Sequence, residues 1–218
     1  LEQSPLFRQD AVEMTAHYLG IRMNEAILAA LEALDEQDME NTEKCMEYFR
    51  KYALRADSFL EGHPTWRLSR WLSFARSHGT SPEEKNKYEQ NARRLVTRWG
   101  PPVDDYAAKI WSGLIRDYYL PRWEHFIQSR LSEKNPDMGA WEEKWVRSTG
   151  VSAAHAPGDL VNACRQAIRE APPLPSSLKR KAAGSIIGNW TSATVSTEWS
   201  YLDWPVSSAD LEKLRGVR

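Results

Sequence analysis

Residues Asp104 to Trp123 read DDYAAKIWSGLIRDYYLPRW, and the reading of this run decides the reading of the chain. Asp104 or Asp105 can cap a helix, its carboxylate accepting from backbone N–H groups that no earlier turn pairs. Tyr106, Ile110, Gly113 or Leu114, Asp117 and Tyr118 then recur at the spacing of one helix face. Pro121 lacks a backbone donor and disfavours helical geometry at Leu120, so a kink or break is expected there. Around it stand Tyr118, Tyr119, Arg122 and Trp123, aromatics beside a guanidinium. Such groups fill the cores of most domains, and burial is the first reading.

Outward from this run the same helical period recurs. Upstream, Arg8 to Leu34 carries the stripe Val12, Ala16, Leu19, Met23, Ile27, Ala30 and Leu34. After a polar break at Asp35 to Asn41, Thr42 to Leu60 carries Cys45, Phe49, Tyr52 or Ala53, Ala56 and Leu60. Gly62-His63-Pro64-Thr65 is a stop and a new start, with Thr65 as cap of a third helix, Trp66 to Ser77. Ser81-Pro82-Glu83-Glu84 combines a cap, a proline in the first turn and a glutamate three residues after the cap. The helix it opens carries Tyr88, Ala92, Leu95, Val96 and Trp99, and Gly100-Pro101-Pro102 ends it.

Downstream, helical spacing continues through Phe126, Ile127 and Leu131 to a break at Asn135-Pro136-Asp137. Met138 to Ser148 is a short helix with Trp141 and Trp145, and another begins at Gly158-Asp159, using Leu160, Val161, Cys164 and Ile168. Pro172-Pro173-Leu174-Pro175 is a linker, stiff by its proline content. From Ser185 to Val206 the period changes toward alternation, rich in Ile, Val, Thr, Trp and Tyr, and reads as two or three strands. The fold class expected is mainly α. It is a multi-helix antiparallel bundle over residues 1–171, a proline-containing linker over 172–184, and a short, incomplete β-rich segment over 185–218.

The segment YEQNARRLVTRWG (Tyr88 to Gly100), followed by DYAAKIWSGLIRDYYLPRW (Asp105 to Trp123), resembles the C-terminal helical domain of α-N-acetylglucosaminidases, glycoside hydrolase family 89. The family pattern is close to YEWNAR…ITLWG and then DYANKQWSGLVKDYYLPRW. The matching residues include Tyr88, Glu89, Asn91, Arg93, Trp99, Asp105, Tyr106, Trp111, Gly113, Asp117, Tyr118, Tyr119, Pro121, Arg122 and Trp123. Departures fall at Arg98, where the family usually has an apolar residue, at the short Pro101-Pro102 loop, and near His17, where a usual arginine is replaced. GNWTSATVSTEWSYLDWPV (Gly188 to Val206) looks, more weakly, like the start of the β-rich tail of some bacterial relatives.

Composition sets the outer limits. A chain of 218 residues buries a real core. A formal net charge of −1 speaks against a nucleic-acid partner held by bulk charge. No apolar run approaches the length needed to cross a bilayer, so no membrane partner is expected. Ten Trp and eight Tyr are many for this length; they are core residues first and sugar platforms second. Cys45 and Cys164 define neither a metal site nor a disulfide framework, and can bridge only in an oxidising compartment. Asn189-Trp190-Thr191 matches a glycosylation sequon, a pattern common by chance. A first residue of Leu1 suggests an excised piece of a larger protein. The resemblance implies an extracytoplasmic place, periplasmic, secreted or lysosomal, although no signal segment opens this chain.

A retaining glycosidase needs two carboxyl groups roughly 5 Å apart across the scissile bond. The resemblance implies that both are glutamates on a (β/α)₈ barrel preceding the helical domain, and such a barrel takes over about 200 residues by itself. No catalytic residue is therefore expected here, and neither a cofactor nor a metal. Glu83-Glu84, Glu142-Glu143 and Asp104-Asp105 read as helix starts or solvated faces, and the five histidines as surface or capping groups. Two readings remain for the motif residues. In one, Arg93 and Arg122 pair with Glu89, Asp105 or Asp117 and pin helices together, with Trp99, Trp111 and Trp123 in the core. In the other, Asn91, Arg93, Trp99, Tyr118, Tyr119 and Arg122 face the barrel or its sugar cleft. The expected partners are the barrel and a glycan with terminal α-linked N-acetylglucosamine. The chain alone is expected to be inactive, and the rival is a stand-alone carbohydrate-binding or protein-interaction module.

Overall fold

The computed structural model describes residues 3–99, 109–132, 134–152 and 155–178, so the strands expected over 185–218 lie outside the described residues. Within them the architecture is helical. Helix α1 spans Pro5–Asp35 and α2 spans Met39–Leu60, joined by so short a turn that the two pack side by side as an antiparallel pair. The expected stripes are buried except at Met23, which is half-buried: Val12, Ala16, Leu19, Ile27, Ala30 and Leu34 on α1 face Cys45, Phe49, Tyr52, Ala53, Ala56 and Leu60 on α2. Alanines at Ala26, Ala29, Ala30, Ala53 and Ala56 leave little between the two backbones, which permits close approach. The sequence places the start of α2 at Thr42; Asp38 moves it to Met39 by accepting from the Asn41 amide.

A 3₁₀ turn, Pro64–Trp66, precedes α3, Leu68–Ser77. This corrects the expected helix from Trp66 capped by Thr65. The ring of His63 accepts from the Thr65 amide, and Arg67 stays extended because its neighbours pair with another segment. Ser112 donates to the Trp66 carbonyl at 2.8 Å and accepts from the Leu68 amide at 2.9 Å, a parallel bridge. Helix α4, Pro82–Leu95, opens with the expected capping box between Ser81 and Glu84. It ends before Trp99, so Tyr88 and Trp99 do not continue a buried stripe; both are about half exposed. The buried positions of α4 are Glu89, Ala92 and Arg93.

In the run from Asp104 to Trp123, the expected cap at Asp104 or Asp105 and Tyr106 lie outside the described residues, and the rest departs from the expected helix. Lys109 to Gly113 is not helical; the helix begins at Leu114, and Pro121 does not break it. Ile115–Tyr119 is instead a π-helical turn, in which the Leu120 amide donates five residues back to the Ile115 carbonyl, and α5, Leu120–Leu131, follows directly. The wider turn absorbs the donor that Pro121 lacks, so the chain stays helical where an α-turn would be interrupted. Helices α6, Met138–Arg147, and α7, Leu160–Glu170, start at Asp137 and Asp159, each accepting an amide at the third helical position. Beyond α7 the chain stays on the body. Tyr18 and Tyr52 donate to the Ala171 and Pro172 carbonyls, and Leu174 and Leu178 are buried in the α1–α2 core. Cys45 and Cys164 are both buried and free.

Two apolar clusters result. One joins α1, α2, α5 and α7; the other holds Leu68, Leu72, Ala92, Val96, Leu114, Tyr118, Trp145 and Val146. The segment from Leu114 to Ile127 serves both, because Leu114 and Tyr118 enter the second while Ile115, Leu120 and Ile127 enter the first. Ile115 and Leu120 are five residues apart, the interval a π turn brings to one face. Gly113 makes the entry possible. Its φ is +85°, and a Cβ there would stand 2.5 Å from Val151 Cγ1 and 3.2 Å from Leu68 Cβ. Replacing Gly113 with alanine is expected to cost about 3 kcal/mol, from the left-handed backbone and the overpacking together. Urea denaturation of Gly113→Ala against the parent checks it, and an unchanged midpoint contradicts the placement.

Candidate functional site

The motif residues assemble around α6, and two ion networks set their positions. The first is fully interior. Glu89 and Arg93, four apart on α4, are 2% and 1% exposed. Arg93 Nε and one terminal nitrogen donate to Glu89 Oε1 at 3.1 and 2.9 Å, and Arg76 donates to Oε2 at 2.7 Å. The Gly150 amide donates to Oε1 at 3.0 Å, and Arg93 donates in return to the Gly150 carbonyl. The Arg93 guanidinium also lies 4.6 Å from the centre of a Trp145 ring. A buried charge is tolerated only when paired and hydrogen-bonded, and here α3, α4 and the chain after α6 share one such pair. Burial pushes the Glu89 carboxyl up, but Arg93, Arg76 and the Gly150 amide together hold it below its ordinary value.

The second network is nearer the surface. Arg122 Nε donates to Glu142 Oε1 at 2.6 Å, while Arg98 Nε lies 3.5 Å from Glu142 Oε2. Arg94 and Arg147 donate to Glu143, and Arg147 first, then Arg94, hold that carboxyl below its ordinary value. Arg122 thus bonds Glu142, while Asp117 is held elsewhere and Asp105 lies outside the described residues, and Glu142 is buried instead of solvated. Asp117 accepts from the Ser152 amide at 2.8 Å. Sequence reasoning missed Glu142 because an acidic pair on a short helix ordinarily faces water; the nearby excess of arginines was the available signal.

Six residues were singled out, and the fold divides them. Tyr118 is buried, its ring 4.8 Å from Trp145 and 5.7 Å from Trp141 between centroids. Arg93 is interior, as described. Tyr119 is half-buried, and its hydroxyl accepts from the Lys109 amide at 3.3 Å. Arg122 is 20% exposed. Asn91 is exposed on α4, away from the Glu89–Arg93 pair. Trp99 is 46% exposed with a φ of +61°, its amide donating 2.7 Å to the Arg94 carbonyl. A non-glycine residue in that region is uncommon and here presents an indole to the surface. Trp99 is therefore not core. Trp111 and Trp123 are partly buried against the two clusters.

A third feature had no place in the sequence reading. Asp57 on α2 is completely buried and faces the start of the helix at Leu114. Its Oδ1 accepts from the Gly113 and Arg116 amides at 2.6 and 3.2 Å, and its Oδ2 lies 3.1 Å from the Arg116 guanidinium. Ser112 donates to Glu61, the residue that follows the last turn of α2, at 2.7 Å. Burial pushes the Asp57 carboxyl up, against the pull of the Gly113 amide and of Arg116. An acid between Ala53, Ala56 and Leu60 on an apolar face was the sequence signal for it. Among the described residues no group of three or more His, Cys, Asp or Glu is placed to hold a metal ion, and no helix is long and apolar enough to cross a membrane.

These features define a class, an all-α domain whose signature residues are mostly tied into ion pairs and aromatic packing, with Trp99 and Asn91 left at the surface. The family model of the alpha-N-acetylglucosaminidase (NAGLU) C-terminal domain matches residues 1–170, and the chain belongs to that family. It is 31% identical to the Homo sapiens alpha-N-acetylglucosaminidase over 132 residues, 59% of this chain and 18% of that protein. A family 89 glycoside hydrolase from Clostridium perfringens, in complex with 2-acetamido-1,2-dideoxynojirmycin, shares the fold with a TM-score of 0.68. Its identity is 24%, over 77% of this chain and 21% of that one. A doubly Glu→Gln-substituted enzyme from the same organism, in complex with its substrate GlcNAc-alpha-1,4-galactose, gives 0.65 at 25% identity, over 74% and 20%. The chain spans less than a fifth of the curated relative and about a fifth of the solved enzymes.

The Glu89 cluster yields a pH dependence. A carboxyl held below its unfolded value contributes stability that is present above the unfolded value, near 4.5, and is lost as pH falls through the folded one. Glu89→Gln is expected to cost about 3 kcal/mol at neutral pH, because it leaves Arg93 buried without its countercharge. It should also flatten the acid side of the stability curve. Urea midpoints of parent and variant from neutral to acid pH check both, and parallel curves contradict the assignment.

Proposed function

We propose that this domain is the accessory helical part of a retaining α-N-acetylglucosaminidase-like glycoside hydrolase. In this reading it packs on a catalytic barrel carried elsewhere in the polypeptide and forms one wall of the glycan cleft. The substrate class is a glycan ending in α-linked N-acetylglucosamine, the place is extracytoplasmic, and the domain by itself has no turnover. The observation that carries the proposal is Trp99. Arg98 beside it is bound to Glu142 and Glu143, the Trp99 amide closes the end of α4, and the indole remains half exposed. A half-exposed aromatic next to planar polar groups suits the apolar face of a sugar ring, and clefts form where two domains meet. Phe74 and Tyr88, 63% and 45% exposed on α3 and α4, add aromatic surface of the kind an interface buries.

Of the six motif residues, Asn91, Trp99, Tyr119 and Arg122 are in this reading the ones at the cleft or the barrel interface. Arg93 and Tyr118 support them from within. The test uses the longer polypeptide and this chain side by side on a chromogenic α-N-acetylglucosaminide. The longer form is expected to turn over and this chain not. Trp99→Ala in the longer form should lower kcat/KM about tenfold, ~1.4 kcal/mol of transition-state stabilisation. It should leave the melting temperature nearly unchanged, since the side chain is largely outside the core. Turnover by this chain alone, or a Trp99→Ala enzyme of full activity, overturns the reading. Glycan affinity in this chain without any active longer form would support a stand-alone binding module instead.

A further inference from the structure

We propose that Asp57 is a positioning residue for the cleft wall, setting where Tyr119 and Arg122 stand although it lies in the interior of α2. The inference rests on the reading that this domain lines a glycosidase cleft. A fully buried carboxylate is costly, and an apolar side chain would pack α2 against the Leu114–Leu131 helix more cheaply. What an apolar side chain cannot do is select a register. Asp57 accepts from the two amides, Gly113 and Arg116, and a carboxylate oxygen also meets the Arg116 guanidinium. A slip of one residue would take both amides from their acceptor and part the Arg116 guanidinium from the buried carboxylate. Ser112, wholly buried, is held at the same time by Glu61 and by the bridge to Trp66 and Leu68, so the entry is clamped from two sides.

From that clamp the path to the surface is short. Arg116 lies inside the π turn, the turn ends on Tyr119, and Arg122 follows on the first turn of α5. Because Ile115 and Leu120 enter one cluster and Leu114 and Tyr118 the other, the turn transmits the register set by Asp57 without slack. Arg122 then reaches Glu142, which it shares with Arg98, the neighbour of Trp99. Asp57 therefore acts through Tyr119 and Arg122 and touches no substrate.

The experiment measures kcat and KM of the longer polypeptide carrying Asp57→Ala or Asp57→Asn, per folded molecule, on the aryl α-N-acetylglucosaminide. Asp57→Ala is expected to raise KM about tenfold with kcat within about threefold, the pattern of lost substrate positioning. Asp57→Asn keeps an oxygen for both amides but sets an amide NH2 where the oxygen facing Arg116 and Ser112 stood, so its KM should rise about threefold. If the alanine variant does not fold, the asparagine variant is read alone. Trp99→Ala and Arg122→Ala are measured alongside. If these raise KM while both Asp57 variants keep the parent KM and only melt earlier, Asp57 is merely structural and the inference is overturned. If Trp99→Ala and Arg122→Ala themselves leave kcat/KM unchanged, the cleft reading fails and this inference falls with it.

Discussion

The clasp between Asp57 and the Ser112–Arg116 segment is the contact on which the two halves of the domain depend. It places a charge where no water reaches it, and satisfies that charge with two backbone amides and a guanidinium. On one side of it lie the paired helices α1 and α2, on the other the cluster built from α3, α4 and α6. The Leu114–Leu131 helix is the only element whose buried side chains are divided between both clusters in this way among the described residues. Its start must be fixed to a fraction of a turn, or the apolar residues of one cluster would be turned into the other. A directional bond supplies that definition; apolar packing, which has no preferred direction, supplies the cohesion.

The same division of labour recurs at Glu89 and Arg93. Alone, a buried pair of this kind contributes little net stability, because desolvation offsets the attraction. Its use here is geometric. Arg76 and the Gly150 amide converge on the one carboxylate, so α3, α4 and the chain beyond α6 hold a common position under Trp145. The outer network of Glu142 and Glu143 then links that position to Arg98, beside Trp99, and to Arg122. A motif that is largely interior can thus govern what is displayed at the rim.

Much of this was legible from residue spacing. The long stripes of α1 and α2, the capping box at Ser81 and Glu84, and the Asn135-Pro136-Asp137 break all describe interactions within a few residues, and they stand as read apart from the half-buried Met23 and the earlier start of α2. Where the reading failed, a distant partner had intervened. Trp66 and Arg67 leave the helix because Ser112 bridges to them, and Ser112 itself stays out of the helix that starts at Leu114 for the same reason. Pro121 keeps its helix because a π turn precedes it, a choice made by the two clusters that Ile115 and Tyr118 enter and not by the proline's own neighbours.

The residue pattern alone determined the helical class, the number of helices to within their ends, and the family, since a run from Tyr88 to Trp123 is long and specific enough to be recognised. It could not tell which motif residues are interior. Arg93 and Trp99 look equivalent in a motif, one a cation and one an aromatic at helical spacing, yet one is enclosed and the other half exposed. Burial depends on which other segments arrive at that spot, and those segments come from far along the chain: Gly150 for Arg93, α6 for Arg98 beside Trp99. Local sequence encodes periodicity and caps; the closing of charges and rings across long separations is decided only when the helices have packed.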